Sequence, residues 1–465
     1  MRLRSWEYDL LMTDVTLVYP YFQPANDNSI FRFPPLGLGY IAAYLKKHGF
    51  SVELVDCTFL KQEQTLERVR RSKPRIIGIQ AMFSMKDKAI QMARQLRNDC
   101  ELLVVGGPLA TSNPADFLKD FDVVAVGEGE RTMLELVHAT DDGTSMSKVN
   151  GIALIEKDRG KMTLTPPRVF IKDLDSVPFP SRELFDNVAY KNYYSSNFGY
   201  TTTSVMTSRG CPFNCDFCSR PVFGNEFRSR TAENIADEVE SVRNLGYDRV
   251  WFADDCFTLN RKRLMSVCDE LVNRHIGMGW ECLSRVDTVD EEVAGKMKKA
   301  GCLRVFFGIE SGNDSVLAIM KKQVTTKQAE KAVHTFKKMG IQVGAFFILG
   351  YPGENDKTIL DTVRFASSLP LDYLSFTMPY PIPGTPLFER MKDKMISEEW
   401  TEPKNLTLIK HDLLFQSSFS EPKLKFAIFK GMTQFYIRKY LGDFVYDLVG
   451  KPYEHITDTI YRILH

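Results

Sequence analysis

From residue 14 onward the chain alternates short β-branched runs with amphipathic stretches. Val15-Thr16-Leu17-Val18-Tyr19 has the pattern of a strand, and Leu36 to Lys47 places Ile41, Tyr44 and Leu45 at helical spacing before Gly49 stops it. Strands at Ser51–Val55, Arg75–Gln80, Glu101–Val105 and Asp122–Val126 come next, with helical patterns at about Lys61–Arg71 and Lys86–Asn98 between them. Alternation this regular implies right-handed crossovers and predicts a parallel, doubly wound sheet over residues 12–140.

The pattern then breaks. Asp141-Asp142-Gly143-Thr144-Ser145 is polar, and Pro166-Pro167 and Pro178-Phe179-Pro180 interrupt the next fifty residues, so 141–195 reads as a linker holding at most one hairpin. A second series starts at Thr203, with strands at Thr203–Ser208, Arg249–Ala253, Gly279–Leu283, Arg304–Ile309, Gln342–Leu349 and Tyr373–Met378. Helical stretches such as Ala232–Leu245 and Lys327–Met339 separate them. Six such units predict a partial (β/α)6 barrel over 196–395, with its chemistry at the C-terminal strand ends. Residues 396–465 read as a small helical C-terminal region. The fold class is α/β: a Rossmann-like doubly wound domain, then a TIM-like barrel.

Composition narrows the class. Hydrophobic residues make up 44% and charged residues 26% of 465, an ordinary globular balance with ample core. Lys+Arg 60 against Asp+Glu 59 leaves +1, so the totals carry no electrostatic footprint for nucleic acid. No apolar run approaches the roughly 18 residues of a spanning helix, and the N-terminal residues lack a signal peptide's apolar centre. Nine cysteines, an odd number, without an export signal predict a reducing, cytoplasmic setting.

Three of those cysteines fall in Arg209-Gly210-Cys211-Pro212-Phe213-Asn214-Cys215-Asp216-Phe217-Cys218. A C-x₃-C-x₂-C loop lets three thiolates converge on one inorganic centre, and soft thiolates suit zinc or iron–sulfur clusters. A closed zinc site needs a fourth ligand, and His138 and His275 lie more than fifty residues away. A [4Fe–4S] cluster on three cysteines leaves one iron open to a substrate's amine and carboxylate. The loop comes directly after the first barrel strand, on the face where barrel enzymes work.

With Phe217 before the last cysteine, this loop resembles that of the radical S-adenosylmethionine (SAM) superfamily, and 200–390 fits that family's partial barrel. The resemblance implies SAM contacts at strand ends. Asp254-Asp255 would hold the amine, Ser284-Arg285 the carboxylate or ribose, and Glu310-Ser311-Gly312 would stand at the fourth strand end. Gly350, in Gly350-Tyr351-Pro352-Gly353-Glu354, would let backbone approach the adenosine.

The first domain resembles a B12 (cobalamin)-binding domain. Gln80-Ala81-Met82, with Ser84 just beyond, stands where such domains line the nucleotide-tail pocket. Gly106-Gly107-Pro108 matches their Gly-Gly pair, where missing side chains let the tail lie on backbone. Val126-Gly127-Glu128-Gly129-Glu130 and Pro34-Pro35-Leu36-Gly37-Leu38-Gly39-Tyr40 complete the likeness. The Asp-x-His-x-x-Gly motif that ligates cobalt in many relatives is missing, so the resemblance implies a lower face without His. Tyr21, Met82 and Phe83 are candidates to cover it.

Together the motifs resemble the class B, cobalamin-dependent radical SAM enzymes, most closely their C-methyltransferases. The resemblance implies that a 5′-deoxyadenosyl radical takes hydrogen from an unactivated carbon, which then receives a methyl from methylcobalamin. It also implies a flavodoxin- or ferredoxin-type one-electron donor, and a small-molecule or peptide/protein substrate. One such substrate would be the glutamine of methyl-coenzyme M reductase. A non-methylating enzyme, such as an anaerobic tetrapyrrole oxidative cyclase, carries the same motifs and stays open. A methylthiotransferase would need three cysteines in the first domain, which offers only Cys57 and Cys100. A cobalamin sensor would not need the thiolate loop. Cys256, Cys268, Cys282 and Cys302 read as buried small hydrophobes, Trp251 and Trp280 as core, Tyr193 and Tyr194 as packing, and Lys321-Lys322 as solvated.

Overall fold

The computed structural model describes residues 12–22, 28–156, 160–396 and 413–464. Among these, the chain divides into two compact units. The first takes the chain up to Gly199 together with Arg220–Gly224, and the second takes the remainder.

In the first unit β1 (Thr13–Tyr19), β2 (Val52–Asp56), β3 (Pro74–Gln80), β4 (Leu102–Gly106) and β5 (Val123–Ala125) run parallel in the order β2-β1-β3-β4-β5. The order reverses between β1 and β3, so the loops leaving their C-terminal ends border a crevice where such sheets take ligands. Strand side chains feed two apolar layers. Val15 and Leu17 meet Leu38, Leu45 and Leu136, while Val18, Ile77 and Ile79 meet Val69, Met92 and Leu96. Helices therefore cover both faces, as the alternating sequence requires.

The expected 12–140 boundary and 141–195 linker are not what the structure contains. β6 (Ile152–Glu156) and β7 (Lys161–Leu164) continue the sheet antiparallel from β5, and the helix Asn187–Phe198 belongs to the same unit. That helix shows little amphipathic pattern because its buried face is made of tyrosines. Tyr190 donates to the Asp56 carboxylate (2.7 Å), Tyr193 to the Ser29 carbonyl (2.8 Å) and Tyr194 to the Ile30 carbonyl (3.0 Å). Tyr193 and Tyr194 thus pack within the unit.

In the second unit β8 (Thr202–Val205) leads to a short ladder of β9 (Ser208–Arg209) with β10 (Arg228–Ser229). β11 (Arg249–Phe252), β12 (Gly279–Ser284), β13 (Cys302–Glu310), β14 (Gln342–Ile348) and β15 (Tyr373–Thr377) then add in sequence order to β8, all parallel. This is the six-stranded partial barrel. Its helices start at capped ends: Thr231, Asn260, Asp290, Thr325 and Asn355 each accept from a first-turn amide. Trp280, Cys268, Cys282 and Cys302 are core residues. The described part of 396–465 belongs to this unit. Leu424, Ala427, Ile428 and Phe435 of the helix Glu421–Val445 join the barrel's core, as does Tyr461. Among the described residues no helix is long and apolar enough to cross a membrane.

Candidate functional site

The three cysteines leave the barrel at the C-terminal end of β8. Cys215 is buried, Cys211 half-buried and Cys218 exposed, and no cysteine forms a disulfide. Burial pushes the thiols of Cys100 up to about 11 and of Cys57 and Cys268 to about 12, and also raises those of Cys256, Cys282 and Cys302. All six cysteines outside the loop are thereby held as thiols, poor metal ligands. Among the described residues no three His, Cys, Asp or Glu side chains gather on a point suited to a single metal ion. A four-iron cube makes no such demand, because its thiolates sit on separate irons.

Two buried cations stand beside the loop. Arg285, at the end of β12, forks onto Asp287 (2.9 and 2.8 Å), lies 3.5 Å from the Phe213 ring centroid, and reaches Cys215 Sγ at 4.0 Å. It also donates to the Lys322 carbonyl (2.9 Å). Lys322 is buried, against the expectation that the Lys321-Lys322 run is solvated. Its ammonium lies 3.1 Å from Glu310 Oε1 and 6.0 Å from the Phe217 ring. Burial works to lower the Lys322 pKa, but Glu310 and then Cys215 outweigh it and hold the group charged.

The backbone here is unusual. Glu310 ends β13 at φ 73, where the ladder to β14 slips register, and Lys321 and Gln323 flank Lys322 at φ 52 and 59. Left-handed residues other than glycine are costly and concentrate at functional sites. Pattern reading missed Lys322 because a pair of lysines after a helix looks like a solvated end. No sequence signal marks its burial.

Several residues expected to touch SAM are bonded or packed within the scaffold. Asp254 is buried, and its carboxylate accepts from the Thr207 amide (2.7 Å) and hydroxyl (2.5 Å), the Ser208 amide (3.1 Å) and hydroxyl (2.7 Å), and Arg263 (3.4 Å). With both oxygens engaged, it fixes the turn that leads into the cysteine loop. Ser284 bonds Thr258 (2.7 Å). Ser311, fully buried, bonds Thr362 (3.0 Å), and a side chain at Gly312 would strike Phe365 and Thr362 of the same helix. Gly350 adopts φ +88, but Leu424 occupies the space its missing Cβ leaves, 2.5 Å away. Asp255 is exposed at the end of β11. Phe217 packs edge-on against Tyr351, ring centroids 6.3 Å apart. Among the described residues, Arg285 and the Glu310–Lys322 pair are buried polar groups close to the loop, with Arg285 reaching Cys215 and Lys322 near Phe217.

The first unit sorts in the same way. Gln80 ends β3 with its Oε1 buried and lacking a hydrogen-bond partner among the described residues. At Gly106 a Cβ would meet nothing nearer than 3.5 Å, and at Gly127 nothing nearer than 3.9 Å, so both leave room above the strand ends. Met82, Phe83, Ser84 and Pro108 line the same C-terminal edge, with Tyr21 on the loop after β1. Gly107, by contrast, is required by the fold: it adopts φ +105, and a Cβ would lie 2.9 Å from the Ala81 carbonyl. Leu36 is buried, Leu38 is core, and Pro35 precedes their helix as its cap residue. Gly39 admits Phe185 at 2.6 Å, Gly129 admits Ile41 at 2.6 Å, and buried Glu128 accepts from the Ile171 amide (2.8 Å). His48 ends the first helix, at the opposite edge of the sheet, and bonds the Tyr44 carbonyl (2.8 Å).

Comparisons with known proteins bear on this geometry. Residues 205–366 match the radical SAM superfamily model, and residues 25–137 match the B12 binding domain model. An uncharacterized methyltransferase of Pyrococcus horikoshii is 35% identical over 79% of this chain and 81% of its own length. The anaerobic magnesium-protoporphyrin IX monomethyl ester cyclase of Rubrivivax gelatinosus is 31% identical over 82% of this chain and 70% of its own. Among solved structures, the radical SAM methyltransferase TsrM from Kitasatospora setae, solved with cobalamin and a [4Fe–4S] cluster bound, aligns with TM-score 0.69 at 20% identity. That alignment covers 82% of this chain and 75% of TsrM. The cobalamin-dependent radical enzyme OxsB, with aqua-cobalamin bound, aligns at 0.72 and 18% identity over 97% and 72%. At these identities the two structures speak for the fold alone.

Proposed function

The chain belongs to the radical SAM enzymes that carry a B12-binding domain, the methyltransferase type, and from that premise we propose that it methylates an unactivated carbon of its substrate. A [4Fe–4S] cluster with SAM supplies a hydrogen-abstracting radical, and cobalamin supplies the methyl group. The protein's residues bind and orient. Cys211, Cys215 and Cys218 would hold the cluster. Arg285 and Lys322 would offset the negative charge of a thiolate-bound centre, and buried guanidinium and ammonium groups do so more strongly than exposed ones. Glu310 keeps Lys322 in place, and Asp255 and Arg285 would meet an amino-acid head group.

In the first unit, the unpartnered Gln80 oxygen would accept from an amide N–H such as those on a corrin's rim, above the open strand ends at Gly106 and Gly127. With no histidine on the β1 loop, Tyr21, Met82 and Phe83 would cover the lower face. A low-potential protein would deliver the electron, and the substrate is a small molecule or a peptide side chain.

The observation that carries this reading is the three-cysteine loop at the C-terminal end of a parallel barrel, with two buried cations against it. The test is anaerobic reconstitution with iron, sulfide, hydroxocobalamin, SAM and a low-potential one-electron reductant, then mass spectrometry of the products. S-adenosylhomocysteine together with 5′-deoxyadenosine is the expected outcome. A chain that binds iron and cobalt yet forms neither product would overturn the proposal. 5′-Deoxyadenosine alone would favour a second reading, ring cyclisation without methylation, which the likeness to the Rubrivivax gelatinosus cyclase supports.

A further inference from the structure

Asp216 lies between two of the three cysteines, and its side chain is fully buried. A carboxylate taken out of water is retained only where hydrogen bonds and charge compensate it. Here the carboxylate's partners come from two separate strand ends, and bonds of the residue's backbone add a third. Its amide donates to the Met320 carbonyl (3.0 Å) beyond β13, and Tyr351, beyond β14, donates its hydroxyl to Oδ2 (2.5 Å). Beyond β15, Arg390 donates to Oδ1 (3.0 Å) and Oδ2 (2.7 Å), and the Leu387 amide donates to the Asp216 carbonyl (3.0 Å).

Packing alone does not call for this residue. Phe217, next in the chain, already anchors the loop among Val316, Met320, Ile348, Tyr351 and Leu387. Apolar contacts resist separation but not rotation, whereas hydrogen bonds to three elements also fix orientation. The run Pro381-Ile382-Pro383-Gly384-Thr385-Pro386 gains a role as well. Thr385 accepts from the Phe388 amide (3.2 Å) and Pro386 opens the helix Pro386–Met391, which delivers Arg390.

We propose that Asp216, held by Tyr351 and Arg390, is the positioning residue of the cysteine loop, fixing the direction in which Cys215 presents its sulfur. The inference rests on the reading that this loop holds a cluster. The readout is alkylation of the cluster-free full chain, with each cysteine tracked by mass spectrometry. Buried Cys282 and Cys302 of the barrel strands report global opening. In Arg390→Ala and Asp216→Asn, Cys215 should react roughly tenfold faster relative to Cys282 and Cys302, equivalent to about 1.4 kcal/mol of lost positioning. Tyr351→Phe should give a smaller rise, and Arg390→Lys should restore most of the protection. An unchanged Cys215 ratio, or equal acceleration of all three cysteines, would overturn the inference. Iron uptake by the unaltered chain is measured in parallel. If it takes up no iron the cluster reading fails, whereas iron uptake with an unmoved ratio sinks only the role of Asp216.

Discussion

Gly350 joins two constraints in one residue. Its φ of +88 disfavours any side chain, and Leu424 already fills the place a side chain would take. Gly350→Ala is expected to cost about 2 kcal/mol from backbone strain, with the clash in addition. In a cycle with Leu424→Ala, the double variant should lose less than the sum of the singles, because the clash is absent there. Urea denaturation of the four proteins measures both. Glu354, in the same loop, is pushed up to about 7 by burial, while the Gly350 and Tyr351 amides (2.8 Å each) and then Thr358 work against the rise. The folded state therefore holds a proton that the unfolded state has released. Stability from this group is complete below the ordinary glutamate range and is lost as pH climbs to about 7, levelling above it. Glu354→Gln, neutral throughout, should gain on the unaltered chain across that window and hold a constant lead above it, as urea midpoints at several pH values would report.

Among the elements, the helix Asn187–Phe198 holds the loop after β1 at Ser29 and Ile30 and the end of β2 at Asp56. Tyr190→Phe strips one donor from a carboxyl group whose pKa burial already raises, and should cost about 1–3 kcal/mol. Weaker hydroxocobalamin binding, read by absorbance titration, should accompany the loss. The parallel strands of both units were legible from alternation, since each buries apolar residues against covering helices, whereas β6 and β7 were not. This helix was not, because tyrosines that bury their rings and bond through their hydroxyls leave no apolar stripe to read. Asp254, Ser311 and Gly350 stand at the expected strand ends, yet their partners at Thr207, Thr362 and Leu424 come from other elements. Local pattern carries no trace of those pairings, or of the Glu310–Lys322 pair that buries a lysine.

For the whole molecule, each unit has its own core and its own half of the proposed chemistry. The halves should separate by mutation. Cys215→Ser is expected to abolish SAM cleavage and most iron binding while cobalt uptake stays near that of the unaltered chain, as metal analysis after reconstitution would show. Loss of both metals would mean that the loop also supports the first unit.

The leucine seated against Gly350 bears on engineering. The C-terminal helices act as a stopper cut to one bottle, so a chimaera that grafts a relative's tail onto this barrel must match that plug. A bulkier graft would push the Gly350–Glu354 turn out of place, and a smaller one would leave a void beside it, even though every residue near the thiols had been kept.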